Sequence, residues 1–377
     1  MSYLLSIIIP TKNRQKYCLA AVKQILTLGR TEIQICVQDN SDNNSLEKQL
    51  CELKSTNIVY NFHPGELSFV DNFSEAVSLS TADFICMIGD DDGILPNIIS
   101  ATEYAKRNAL DCLIPGLNSI YNWPSPHPLK EGGENGWISV SPIHNKIINV
   151  NVDNAFSEFL SNGALEYYKY DLPRLYHGIV PRFILENIKN TVGTYFKGLT
   201  PDIYMATALA LTCNKVEKTE FPITVSGICP ISGSADSATG RHTGELKDAP
   251  HFRGHSYYKW EEIIPAFYSV ETIWAETLIK ALKDFGAEKY ISKINFNHLY
   301  ATCLLKYPQF SDIILRNAKI FNINPTSIIY EKDRFIINIF NRLKNRLLNG
   351  RYHVAYGIED IEKAVLFTQR YLHNNTY

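Results

Sequence analysis

The opening ~115 residues of the chain alternate short apolar runs with amphipathic stretches, an order that few folds accept. Leu4 to Ile9 is an apolar run stopped by Pro10, as a strand buried on both faces requires. Residues 14–28 place Tyr17, Ala20, Ala21, Ile25 and Leu28 at helical spacing. Glu32 to Val37 reads as the next strand and ends in the polar cluster Gln38 to Asp42. A helix around Leu46–Leu53, a strand at Ile58–Tyr60 and a helix from Phe69 to Leu79 follow. Phe84 to Ile88 then runs as an apolar strand into Gly89-Asp90-Asp91-Asp92. This order predicts a parallel sheet with covering helices, and ligands of such sheets sit at the carboxyl ends of the strands. Three of the four strand ends carry polar or acidic residues, so they are expected to share one crevice.

Beyond 118 the texture changes. Asn122 to Pro128 and Glu131 to Gly136 are loop chemistry, an excursion from the sheet. Helical patterns return at 153–162, 182–190 and from Thr200 to about Leu211. Residues 226–256 are rich in Gly and Ser, with Arg241, His242, His251, Arg253 and His255 among them. From 257 onward helices are expected near 257–285, 288–306, 310–321, 332–348 and 358–373. The expected division is 1–255 as an α/β domain (1–115 for a nucleotide, 116–255 for an acceptor and a lid loop) and 256–377 as a helical domain.

Composition narrows the function by exclusion. Lys+Arg 37 against Asp+Glu 39 leaves a net charge of −2, without the basic excess that phosphate neutralisation in nucleic-acid binding demands. None of the eight cysteines stand at C-x-x-C spacing, which argues against a zinc knuckle or redox motif. The N-terminal apolar stretch is too short for a signal peptide, and no run approaches ~20 apolar residues, so a soluble, cytoplasmic protein is expected.

The stretch FICMIGDDDGILP carries the most chemistry. Three successive carboxylates repel one another unless a cation compensates, and Mg²⁺ or Mn²⁺ takes one or two carboxylates plus phosphate oxygens. A solvated turn or helix cap is the plainer reading of the same residues. Taken in order, SIIIPTKNR at the first strand, an Asp ending the second (IQICVQDNSDN) and the GDDD turn with its following Pro resemble the family 2 glycosyltransferases, inverting enzymes with the GT-A fold. The resemblance covers about residues 3–110 well and 175–255 loosely, in ordered motifs that are weak singly. It implies that Pro10, Thr11, Asn13 and Arg14 line a nucleotide pocket and that Asp39 binds the uracil of a UDP-sugar. It also implies that the acidic turn holds a metal bridging the diphosphate. Counting back from Pro96 in the family's D-x-D-D-x-x-x-P puts Gly89 at the first acid and Asp91 at the usual metal ligand, with Asp90 near the ribose and Asp92 in support. A plain D-x-D reading would pair Asp90 with Asp92. Asn72 is a candidate nucleotide contact or, equally, a buried helix-to-turn hydrogen bond, and the Arg that many relatives place shortly before this Asn is missing from 65–71.

Inverting transfer needs a base for the acceptor hydroxyl, and relatives place an acid at a helix start about 100 residues past the metal motif. GLTPDIYMATALA offers Asp202 there, where Thr200 as N-cap and Pro201 at N1 are also good helix-start chemistry. The helix dipole is expected to lower its pKa. Glu166 and Asp171 are the alternatives. His177 is a candidate sugar contact or a core histidine, and Arg241 and His242 are candidates for the diphosphate and a third metal ligand in a lid. Trp123, Trp137 and Tyr204 are candidates for stacking on a sugar or for the core.

Residues 335–348 form a basic amphipathic stretch that could lie on an anionic membrane, pack on the sheet domain or form a homodimer. The expectation is a metal-dependent (Mn²⁺ or Mg²⁺) transferase moving a sugar from a UDP-sugar to a glycan or lipid-linked acceptor, as in O-antigen or capsule assembly, with peripheral contact at the inner face of the membrane as an option. The alternatives are a nucleotide- or glycan-binding module that has lost turnover and a sugar-phosphate nucleotidyltransferase. The latter should carry a Gly-rich loop after the first strand, and PTKNRQKY has no glycine. A dinucleotide oxidoreductase fails for want of G-x-G-x-x-G.

Overall fold

The computed structural model describes residues 3–116, 119–233, 235, 242–253, 258–324 and 352–375. Its first seven elements follow the order read from the sequence: β1 (Leu5–Thr11), α1 (Gln15–Thr27), β2 (Ile33–Asp39), α2 (Ser45–Cys51), β3 (Ile58–Phe62), α3 (Phe69–Ser78) and β4 (Phe84–Met87). β1 lies parallel between β2 and β4, and β2 is parallel to β3. In register Thr11 stands opposite Asp39, which brings the ends of β1 and β2 level. Every residue of β1 and β2 is buried. Leu5, Ile7 and Ile9 pack on one face with Cys18, Val22 and Ile25 of α1, whereas Ile8 packs on the other with Val70, Ala76 and Val77 of α3. Two covered faces explain why these strands read as unbroken apolar runs.

After β4 come β5 (Gly93–Ile94), α4 (Ile98–Arg107), β6 (Cys112–Ile114), β7 (Ser119–Asn122), β8 (Trp137–Val140) and β9 (Ile147–Asn149). Next are α5 (Val152–Ser161), β10 (Val180–Pro181), α6 (Arg182–Val192), α7 (Pro201–Thr212), β11 (Val216–Thr219) and β12 (Thr224–Ile228). β10 runs antiparallel beside β4, completing a mixed sheet of order β10-β4-β1-β2-β3 with helices on both faces, the GT-A-type arrangement expected above. A bridge between Leu113 and Ile179 carries the sheet on to the set β6-β11-β9.

A second five-stranded sheet was not foreseen. It has the order β15-β8-β7-β12-β5, with β13 (Thr243–Gly244), β14 (Tyr268–Ser269) and β15 (His353–Tyr356) as the last strands of the chain. The 118–150 excursion therefore supplies strands as well as loops. β12 pairs with β5 just after the acidic turn and with β7 further along, so this sheet abuts the candidate site.

Packing runs across the boundary expected near 255. The helix Val270–Asp284, opened by a Ser269/Thr272 capping box, shares a core with α5 and with Ile203 of α7. Residues 258–269 ahead of it are not helical, and helices resume at Phe296–Lys306 and Ser311–Ile320. β15 pairs antiparallel with β8, and the helix Ile361–Asn375 packs on Leu95, Tyr121 and Val225. The amphipathic stretch 335–348 lies outside the described residues. Among the described residues no helix is long and apolar enough to cross a membrane.

Candidate active site

The carboxyl ends of β1, β2 and β4 meet at the acidic turn. Asp90, Asp91 and Asp92 are 0%, 4% and 2% exposed, so each charge must be met from within. Arg14, just ahead of α1, grips Asp90 in a two-pronged pair: Nε donates to Oδ2 at 3.0 Å and Nη2 stands 2.6 Å from Oδ1. Thr11 Oγ1 donates to the same Oδ2 at 2.6 Å. Asp91 Oδ2 accepts the Cys229 N–H at 2.9 Å and lies 3.8 Å from Arg14 Nη1. Asp92 is held by dipoles, its two oxygens accepting the N–H groups of Gly227 and Gly89, each at 2.6 Å.

Burial pushes the Asp90 and Asp92 carboxyls above their ordinary values. Arg14 opposes this at Asp90, and the two amides oppose it at Asp92. Burial alone would lower Arg14, but Asp90 and Asp91 outweigh it and hold its proton more tightly. His177 Nε2 lies 3.5 Å from Asp92 Oδ2. Burial, with Arg174 adding to it, pushes the imidazole down to about 3, so His177 is neutral and no salt bridge forms.

A side chain at Gly89, the position at which the family pattern has an acid, would displace its neighbours. A Cβ there would stand 2.5 Å from the Tyr176 hydroxyl and 3.0 Å from oxygens of both Asp91 and Asp92. Gly227 is equally confined, its Cβ falling 1.8 Å from the Asp91 carbonyl oxygen. That carbonyl also accepts the Trp123 indole N–H at 2.9 Å.

Of the six carboxylate oxygens in the turn, Asp91 Oδ1 alone has no hydrogen-bond or ion-pair partner among the described residues. This donor set fits a hard divalent ion that takes one carboxylate oxygen and completes its shell with phosphate and water oxygens. It does not assemble the expected set of Asp91, Asp92 and His242, since no three His, Cys, Asp or Glu side chains among the described residues gather as a metal cluster. Asp92 is committed to amides, and His242 packs 5.5 Å from the ring of His251 and 4.9 Å from that of Tyr268. Arg241 lies outside the described residues.

A cavity of about 410 Å³ opens beside the turns that follow β1 and β2, walled by Lys12, Asn13, Asn40, Asp42, Gly65 and Arg253 among others. Asp39 is fully buried, Oδ1 accepting the Ser41 N–H at 2.9 Å and Oδ2 the Tyr60 hydroxyl at 3.0 Å. Asn13 adopts a left-handed φ of 57° and exchanges hydrogen bonds with Asp42, tying the turn after β1 to the turn after β2. Asn40 braces the wall by accepting from Lys12 Nζ and donating to the carbonyls of His63 and Gly65. Asn72 Nδ2 donates to the Thr11 carbonyl at 3.4 Å, and its Oδ1 is buried without a partner. Pro10 lies opposite Gln38 within the paired strands.

On the acceptor side Asp202 is the second residue of α7, with Oδ1 accepting the Ile203 N–H at 2.9 Å. Burial raises its pKa against backbone donors and the hydroxyls of Tyr167 and Thr200, so the depression expected from the helix dipole is overridden. Asp171 pairs with Lys218 at 2.6 Å and Glu166 with Lys169, which leaves Asp202 as the carboxylate of the three without an ion pair. Tyr204 is a core residue, fully buried and donating to Asp284 Oδ2 at 3.0 Å.

Sequence reasoning passed over three contributors: the Cys229 amide, the Trp123 brace on Asp91, and Arg253 in the nucleotide wall. The first is paired with its partner across 138 residues, and nothing in local spacing marks such a pair.

Residues 6–130 match the family described as Glycosyl transferase family 2. No curated protein matches the chain. Solved structures similar to it include S. aureus TarS 1-349 in complex with UDP-GlcNAc, at 14% identity and TM-score 0.48, covering 85% of this chain and 91% of that one. S. aureus TarS 1-349 alone aligns at 14% identity and TM-score 0.45, again over 85% and 91%. The likeness to glycosyl transferase family 2 thus rests on residues 6–130, the stretch that holds β1 to β7 and the acidic turn.

Proposed function

We propose that the chain transfers a sugar from a UDP-sugar to a hydroxyl of a glycan or lipid-linked glycan, with inversion at the anomeric carbon. The observation that carries this reading is the lock of Asp90 by Thr11 and Arg14 beside the 410 Å³ cavity. The locked residues flank Lys12 and Asn13, which with Asn40, Ser41 and Asp42 line that cavity just after the ends of β1 and β2, and a parallel α/β sheet takes its ligand at such strand ends.

In this reading the Asn13–Asp42 turn faces the base and ribose, and buried Asp39 holds the wall behind it through the Ser41 N–H and the Tyr60 hydroxyl. Arg14 keeps a cation beside the departing diphosphate. Asp91 would hold Mg²⁺ or Mn²⁺ through its open Oδ1, and when bound the ion supplies positive charge to the leaving group. Asp202 takes the proton of the acceptor hydroxyl as that oxygen bonds to the anomeric carbon and the carbon–phosphate oxygen bond breaks, releasing UDP. Burial makes Asp202 a stronger base than a solvated aspartate. Surface-polysaccharide assembly at the inner face of the membrane belongs to the same reading.

The test is release of UDP from a panel of UDP-sugars, with and without Mn²⁺. Release that depends on the ion and disappears in Asp91→Asn is the expected result. If no UDP-sugar is consumed in the presence of Mn²⁺, the reading fails.

A further inference from the structure

A second cavity lies on the other side of the acidic turn. Its volume is about 190 Å³, and Trp123, Trp137, Pro126, His127, Leu129 and Cys229 contribute to its wall. It adjoins Asp91 at two points, because the Cys229 amide donates to Asp91 Oδ2 and the Trp123 indole donates to the Asp91 carbonyl. Nothing described so far occupies it, since the nucleotide wall and the surroundings of Asp202 are formed by other residues.

We infer that this cavity is a saccharide subsite, holding one non-reacting pyranose ring of the acceptor glycan. The size is that of a single ring, given that a cavity of ~150 Å³ accommodates benzene. Trp137 leaves one ring face for the C–H face of a sugar, the Lys130 ammonium lying 5.3 Å from its centroid on the other, and Trp123, 5% exposed, backs the wall. Trp123 is fixed in place, with Tyr17 edge-on at 4.9 Å and Tyr121 at 5.3 Å, so its ring is pre-set for a ligand. Polar groups complete the wall, among them Asn122, Ser125 and His127. The buried Trp137 N–H has no hydrogen-bond partner among the described residues, so the wall holds an unspent donor near Gly133. The ring held here cannot carry the attacked hydroxyl, because Asp202 is not part of the wall and a base must lie within hydrogen-bond reach of its proton. The subsite therefore reads a neighbouring residue of the acceptor, and it rests on the glycosyltransferase reading above.

The test is saturation-transfer NMR on the full chain with the methyl glycosides of glucose, galactose and N-acetylglucosamine, and with cyclohexanol as an apolar ring of similar size. At least one glycoside is expected to bind through its ring C–H protons and to outcompete cyclohexanol. Trp137→Ala should weaken that binding ~10-fold while leaving UDP release to water unchanged. Leu129→Ala and His127→Ala, on the loop, should weaken it in the same direction, and they decide the matter if Trp137→Ala loses its cooperative melt. Failure of every glycoside to bind, equal binding to wild type and variants, or preference for cyclohexanol would overturn the subsite. If glycosides bind as expected but no UDP-sugar is consumed, the transferase reading falls and the saccharide site stands.

Discussion

Two residues illustrate how burial changes the expected chemistry. Asp202 stands at a helix start, where the dipole should depress a carboxyl, yet loss of water outweighs the dipole and raises it. As the base proposed above, Asp202 must be ionised to act, so kcat/KM for acceptor transfer should fall as pH drops through a value above the ordinary aspartate range of ~4. Asp202→Asn should lower kcat by ~10²–10⁴-fold and abolish that acid limb, with donor KM little changed. A variant that loses activity but keeps the limb would assign the titration to another group. Gly89 shows the opposite kind of control. The missing first acid looks like a lost ligand in the sequence, but a side chain at 89 would collide with Tyr176 and with Asp91 and Asp92. With glycine at 89, Tyr176 and the two acids keep positions that a side chain there would force them to change.

At the scale of elements, the parallel half of the sheet was legible because both faces of β1 and β2 are buried, and such strands leave apolar runs that no helix explains. The second sheet was not. β7, β8 and β12 are four or five residues long and β5 has two, so even the alternating burial of β8 and β12 is too short to stand out in the sequence. The candidate site was legible in the same proportion. Thr11, Arg14, Asp39 and the acidic turn end long strands or lead a helix, whereas the amides of Gly227 and Cys229 belong to the sheet that left no pattern. β12 carries a prediction of its own. Gly227→Ala places a methyl 1.8 Å from the Asp91 carbonyl oxygen, so the strand must move and loosen both acids. A displacement of that order should cost kcat ~10²-fold, checked by initial rates of UDP release on protein shown to melt cooperatively. The helix Val270–Asp284 yields a stability prediction. Burial pushes Glu276 from 4.5 up to about 7, although it accepts the Glu261 N–H at 3.0 Å. The folded state thus binds the proton more tightly than the unfolded chain. The associated stability is present in full below pH 4.5 and lost as pH rises through about 7. Glu276→Gln should remove that loss, so its melting temperature gains on wild type as pH is raised across this window. Parallel melting curves at all pH values would show that Glu276 is ionised in the fold.

At the scale of the whole molecule, the end of the chain closes on the beginning. β15 extends the second sheet beside β8, and the helix Ile361–Asn375 buries Ile361, Ala364 and Val365 against Leu95, Tyr121 and Trp123. Gly93 makes the approach close, since a Cβ there would stand 2.7 Å from Val365 and 2.8 Å from Ile361. The contact matters beyond stability because Trp123 is both part of that core and the donor to the Asp91 carbonyl. A segment more than 260 residues downstream of the acidic turn in sequence thereby backs it in space. Ile361 is fully buried, so Ile361→Ala should cost ~2–5 kcal/mol, read as a lower midpoint in urea with an unchanged slope. If the helix braces the turn through Trp123, UDP release should also fall under conditions where the variant is still fully folded, and Ile361→Val should recover most of it. A stability loss with rates untouched would confine the terminal helix to holding the second sheet together. A matched loss of both would make the far end of the chain a working part of the site.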